Sequence, residues 1–239
     1  MGHLFEELDY RKTPMGELVL RRRRILSLDG LTVYEVKLGD KYLMSSMFHA
    51  SEEALAKTAL DSLSGDDWDV VVGGLGLGYT AAAALEYYQV KRLVVIEALK
   101  PVIDWHKRNL VPNSEILTRD PHCIFHNADF FELARTSGFD PDAAGCKFDA
   151  ILLDIDHSPE FLLTAGHTDF YTPEGMQRLA SFLKPGGVFA LWSNDPPHDK
   201  FIRMLSGVFD RAEGRVIEFE NPLQATASAN GIYIACNGN

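Results

Sequence analysis

Four polar clusters in this chain each stand directly after a short apolar run. Gly73-Gly-Leu-Gly-Leu-Gly78 follows Asp69-Val-Val-Val72, Glu97 follows Arg92-Leu-Val-Val-Ile96, Asp129 follows Cys123-Ile-Phe-His126, and Asp154 and Asp156 follow Phe148-Asp-Ala-Ile-Leu-Leu153. Glycines let backbone N–H groups approach a ligand closely and accept positive φ where a side chain would clash. A carboxylate about 20 residues beyond the last glycine suits the two hydroxyls of a ribose, and one at Asp129 suits an adenine amine. The four clusters together fit a nucleoside laid across one edge of a sheet. Gly74, Gly76 and Gly78 would border its tail, and Asp154 would face the group that reacts. Asp156, His157 and Tyr171 are candidates for the substrate side.

The elements that must carry these residues alternate between strand and helix from Asp66 onward. Apolar, nearly non-alternating strands separated by helices predict a parallel sheet covered on both faces. Thr172 is placed to cap a helix beginning at Pro173, which stops at Lys184-Pro-Gly-Gly187. Two tail strands, Arg215 to Glu220 and Ile232 to Cys236, have no helical pattern between them, which predicts an antiparallel pair at one end. The expected fold is α/β, a doubly wound, mostly parallel seven-stranded Rossmann-like sheet. A small β region precedes it, spanning about 16–46, with Asp29-Gly30 as a hairpin signal. In that region Arg21 to Arg24 read as a solvated edge. Ser51 reads as the N-cap of a helix to about Leu63, with Glu52 and Glu53 in its first turn. The division expected is a β region over 1–49 and a nucleoside-binding domain over 50–239.

The chain has 239 residues, with 23 Lys+Arg against 34 Asp+Glu and a formal charge of −11. That balance excludes a nucleic-acid backbone or an anionic membrane as main partner, since both need a basic face. It permits a cationic substrate. Three widely spaced cysteines, Cys123, Cys146 and Cys236, fit reduced thiols. The N-terminus has no continuous apolar run, and no stretch reaches the roughly 20 residues of a membrane span. These features predict a cytoplasmic protein with a small-molecule substrate. No spacing of His, Cys and carboxylates completes a metal site.

Gly76-Leu-Gly78-Tyr-Thr-Ala81 matches the G-x-G-x-x-A fingerprint of dinucleotide binding, which would make the protein an NAD-dependent oxidoreductase. Gly74-x-Gly76-x-Gly78 matches the first motif of class I methyltransferases equally well. Asn127-Ala-Asp129 before Phe130 and Phe131, then FDAILLD, then LKPGGVFALW resemble the later motifs of S-adenosylmethionine enzymes. A nearer resemblance spans about residues 28 to 194. Leu28-Asp29-Gly30, the gap from there to the glycine loop, Asp154 followed by Pro159, and Phe170-Tyr171 before a helix are similar to the spermidine synthase family. The resemblance implies a class I methyltransferase fold with an N-terminal β domain, a gating loop over 155–171 and a homodimer. It implies S-adenosylmethionine or its decarboxylated form as donor, an amine acceptor, and Asp154 deprotonating the attacking amine.

The chain also departs from that family. Leu77, or Gly76 under a one-residue slip, stands where the family carries an Asp in its glycine loop. The second Asp of D-x-x-D becomes His157, unless Asp156 serves from another direction. Met47-Phe-His-Ala50 occupies the place of the Tyr-His-Glu motif. With no loop carboxylate to hold an aminopropyl ammonium, methyl transfer to a small molecule leads. Aminopropyl transfer to a di- or polyamine is the alternative. A non-catalytic nucleoside- or partner-binding protein is the third reading, and the oxidoreductase the fourth.

Overall fold

The computed structural model describes residues 4–224 and 226–238. Seven strands form the large sheet: β5 (Trp68–Gly73), β6 (Val90–Ile96), β7 (Cys123–His126), β8 (Phe148–Leu153), β9 (Leu183–Ser193), β10 (Arg211–Phe219) and β11 (Ser228–Cys236). Their order is β10-β11-β9-β8-β5-β6-β7. The five from β5 to β9 run parallel. The tail pair is antiparallel, and β11 is antiparallel to β9. The expected fold class is therefore the one observed. The tail strands begin earlier than their apolar residues suggest, because the ladder pairs backbone groups whatever the side chains.

Successive residues of the central strands bury on opposite faces. Val70, Val72, Leu93, Val95 and Leu152 join one apolar layer, with α1 (Ala50–Leu60), α2 (Tyr79–Leu85) and α3 (Lys100–Lys107). Val71, Val94, Ile151 and Phe189 join the other, with Phe130, Phe139 and Phe170. Each fully buried side chain of this kind contributes about 1.5–3 kcal/mol, which is why these strands lack polar alternation. Strand order reverses at β5, between β6 and β8, so a crevice opens beyond the carboxyl ends of these strands. At that point Gly74 has φ +95, and a Cβ there would lie 2.1 Å from the carbonyl oxygen of Asp154. Only glycine lets the two chain segments come this close.

The N-terminal sheet is a four-stranded antiparallel meander, β1 (Phe5–Thr13), β2 (Gly16–Ile25), β3 (Leu31–Leu38) and β4 (Lys41–Ser45). Asp29 and Gly30 both take positive φ in the β2–β3 turn, as a tight reversal requires. The arginine run is not on an edge, because β2 lies between β1 and β3. Arg21 and Arg23 both donate to the buried Glu35, at 2.7 and 2.9 Å, and Arg22 pairs with Glu6.

Ser51 does not cap α1. The cap position is His49, with no side-chain bond, and Ser51 is turned inward toward the end of β9. Thr172 does cap α6 (Pro173–Ala180), accepting from the Gly175 N–H. β1, α4 (Ser114–Arg119), α5 (Phe130–Arg135) and α7 (Asp199–Ser206) have no counterpart in the sequence reading. No helix among the described residues is long and apolar enough to cross a membrane.

Candidate active site

A cavity of about 670 Å³ occupies the crevice, and its wall includes the glycine loop, Glu97, Asp129, Asp154 and His157. The loops after β5 to β8 position all of these, so the structure brings together the residues picked out by their places after apolar runs.

The glycine loop is held from behind. The Leu75 N–H donates to Oε2 of Glu97 at 3.1 Å, and the Leu99 N–H to Oε1 at 2.7 Å. Burial pushes the Glu97 carboxyl up, against the pull of these N–H donors. Each oxygen keeps a lone pair for a hydroxyl. His106 is buried, and burial lowers its pKa to about 4. The neutral ring therefore donates from Nε2 to the Gly76 carbonyl at 2.9 Å. Asp129 caps α5 (Phe130–Arg135), where Oδ1 accepts from the Phe131 and Glu132 N–H groups. Its Oδ2 has no protein donor among the described residues.

At the other end, Asp154 follows β8 and its Oδ2 accepts from the Thr80 hydroxyl at 2.9 Å. Burial pushes its carboxyl up to about 6. Glu52 lines the same cavity from α1, and burial, then the charge of Asp154, pushes it up to about 8. The Trp192 indole donates to the Ser51 hydroxyl at 2.9 Å, and that oxygen lies 2.8 Å from Oε2 of Glu52 and 2.9 Å from Oδ1 of Asn230. Neither Glu52 nor Asp154 has an ion-pair partner among the described residues. A cation bound between these two acids would draw both back toward the charged form, so the enclosed pair favours a cation.

Two of the substrate-side candidates sit elsewhere. Asp156 is buried behind the wall, where its carboxylate meets His167 Nδ1 at 2.9 Å, the Tyr171 hydroxyl at 2.9 Å and the Leu163 N–H at 2.7 Å. Asp156 and Tyr171 thus staple the 155–171 segment, because a buried carboxylate needs donors and the segment supplies three. Of that segment, Ile155, His157, Leu163, Thr164, Gly166 and His167 line the cavity. No group of three or more His, Cys, Asp or Glu side chains among the described residues could hold a metal ion.

Glu52, Thr80, Trp192 and Asn230 were not marked as site residues by their sequence. Glu52 and Glu53 look alike as first-turn acids, and only the helix face separates them. Glu53 points away, toward His49 and Lys57.

Comparison with known proteins decides the family. A model of the spermine/spermidine synthase domain matches residues 48–205. The chain belongs to the spermine/spermidine synthase family. A curated relative, polyamine aminopropyltransferase 2 of Pseudomonas aeruginosa, is 25% identical over 222 residues, which is 83% of this chain and 59% of the relative. The chain thus spans less than two thirds of that protein. Among solved structures, spermidine synthase from Thermotoga maritima superposes with a TM-score of 0.72 at 20% identity, covering 97% of this chain and 73% of that one. A spermidine synthase in complex with the transition-state analogue AdoDATO gives 0.73 at 19%, covering 97% and 74%. These two likenesses establish the family's Rossmann-like fold here.

Proposed function

We propose that the protein transfers an aminopropyl group from decarboxylated S-adenosylmethionine to a small amine. The observation that carries this reading is the Asp154–Glu52 pair at the reacting end of the cavity, with no ion-pair partner for either among the described residues. A donor bearing an ammonium is attracted there, whereas the carboxylate of intact S-adenosylmethionine is repelled. The family match supports the same choice. This reverses the order of the two transferase readings. Methyl transfer led because Leu77 leaves the glycine loop without a carboxylate, but Glu52 brings one from a different element. No observation favours the oxidoreductase or the binding-only reading.

The residues present fit the donor. Gly74, Gly76 and Gly78 border its tail, the free lone pairs of Glu97 take the ribose, and Oδ2 of Asp129 takes the adenine amine. The donor supplies a sulfonium, whose carbon–sulfur bond breaks as the new carbon–nitrogen bond forms and whose electron pair stays on sulfur. Asp154 takes the proton that the attacking amine releases, for which a carboxyl held near 6 is suited at neutral pH. His157 borders the acceptor, while Asp156 and Tyr171 fix the wall around it. The N-terminal sheet closes the mouth, since Met15, Leu43 and Met44 line the cavity, and it packs on the larger sheet through Leu18, Leu20 and Val36.

Incubation with decarboxylated S-adenosylmethionine and 1,4-diaminobutane, followed by mass spectrometry, tests this. Release of 5′-methylthioadenosine with an aminopropylated amine is expected. Formation of S-adenosylhomocysteine from intact S-adenosylmethionine, with no turnover of the decarboxylated form, would overturn it.

A further inference from the structure

Beyond Asp154 and Glu52, the acceptor end of the cavity has no further carboxylate among the described residues, and one of its walls is apolar. Phe48 and Phe219 approach to 5.9 Å between ring centroids, and Trp192, Leu43 and Met15 continue the same wall. Among the described residues the cavity is lined by four carboxylates, and two of them, Glu97 and Asp129, belong to the nucleoside end. Asp156, the remaining acid of the strand-four segment, is turned into the protein by His167 and Tyr171. A second cationic group on an acceptor would therefore find no further carboxylate among the described residues of this wall.

Glu52 is also held in a defined place. The Thr80 hydroxyl, which donates to Asp154, lies 3.4 Å from the main-chain oxygen of Glu52, so one hydroxyl ties the Glu52 backbone to the Asp154 carboxylate. Ser51, anchored by Trp192 and Asn230, fixes the other side of the Glu52 side chain.

We infer that Glu52 is the acceptor-binding carboxylate of this chain, and that the acceptor is an amine recognised by a single ammonium between Glu52 and Asp154, with an uncharged body against Phe48, Trp192 and Phe219. The inference rests on the aminopropyl-transfer reading and names its substrate class. The same two carboxylates also face the ammonium of the donor's aminopropyl arm, so none is left for a further cationic group on the acceptor.

Calorimetry on the protein saturated with 5′-methylthioadenosine tests this, with 1-aminobutane and 1,4-diaminobutane as probes. The two amines are expected to bind within about threefold of one another. Glu52→Gln weakens both by about 10–100-fold, the loss of a hydrogen bond to a charged group, and leaves 5′-methylthioadenosine affinity unchanged. Glu53→Gln, one residue along the same helix but outside the cavity, changes neither amine. Glu52→Asp serves as a second variant, should the glutamine fail to fold, and is expected to recover part of the affinity. Diamine binding more than threefold tighter than monoamine, equal losses in the Glu52 and Glu53 variants, no loss in Glu52→Gln, or no amine binding to the wild type each overturns the inference. Amine binding that depends on Glu52, without aminopropyl product in the turnover assay, overturns the transfer reading and leaves the amine site standing.

Discussion

The two ends of the cavity are built by opposite means. At the nucleoside end, Gly74, Gly76, Gly78, Glu97 and Asp129 each stand within a few residues of the strand that delivers them, and backbone N–H groups fix the two acids. At the acceptor end, Asp154 alone follows that pattern. Its companions come from α1, α2, β9 and β11, and side chains hold one another: Thr80 on Asp154, Trp192 on Ser51, Asp156 on His167 and Tyr171. The nucleoside end is thus a property of parallel strands and their turns. The acceptor end depends on how distant elements dock, so one fold can keep its donor while its acceptor changes.

Substitutions that act on one end only test this contrast. The largest effect is expected for Asp154→Asn, which removes the proton acceptor and should lower kcat by about 10²–10⁴-fold. Affinity for 5′-methylthioadenosine should hold. The same variant should gain stability with a predictable sign. The folded chain holds the Asp154 proton up to about pH 6, above the ordinary carboxyl value of 3.8. The stabilisation from this group is therefore complete below 3.8 and is lost as pH rises through about 6. Differential scanning calorimetry should show a higher Tm for the variant at pH 8 and no gain at pH 4. For the wild type, kcat/KM for the amine should rise with pH through about 6 as Asp154 ionises.

Gly74→Ala should damage both ends together, since the added carbon meets the Asp154 carbonyl in a backbone conformation of positive φ. A loss of roughly 2–5 kcal/mol in denaturant unfolding is expected, from strain and overpacking combined. Glu97→Ala should act at the nucleoside end alone and weaken 5′-methylthioadenosine about 10–100-fold, the worth of hydrogen bonds to a charged group. Amine turnover at saturating donor should change far less. The smallest effect is expected for Tyr171→Phe, which removes one of three donors to the buried Asp156 and should cost about 1 kcal/mol. Limited proteolysis within 155–171 should quicken while nucleoside affinity stays constant.

Much of the fold was legible in the residue order. The strand–helix alternation, the antiparallel tail pair and the nucleoside residues all follow from short apolar runs ending in glycine or an acid. Where the reading went astray, a tertiary contact outweighed a local preference. Ser51 has the side chain of a helix cap but is drawn inward by Trp192 and Asn230, the latter 179 residues away. The arginine run looks like a wetted edge, but β1 covers it and Glu35 gathers two of its charges. Asp156 looks like a substrate ligand two positions from Asp154, but β8 has ended at Leu153 and the following loop turns its carboxylate inward to His167, Tyr171 and the Leu163 N–H.

The local sequence was enough to place Gly74, Glu97, Asp129 and Asp154 in one crevice, because parallel strands in a doubly wound sheet all end on the same edge. It could not show that Glu52 would stand beside Asp154. That contact exists because α1 crosses the sheet face over β9 and β11, and such docking is set by the fit of whole apolar surfaces. A short motif carries no record of that fit, so the donor end could be read from residue spacing and the acceptor end could not.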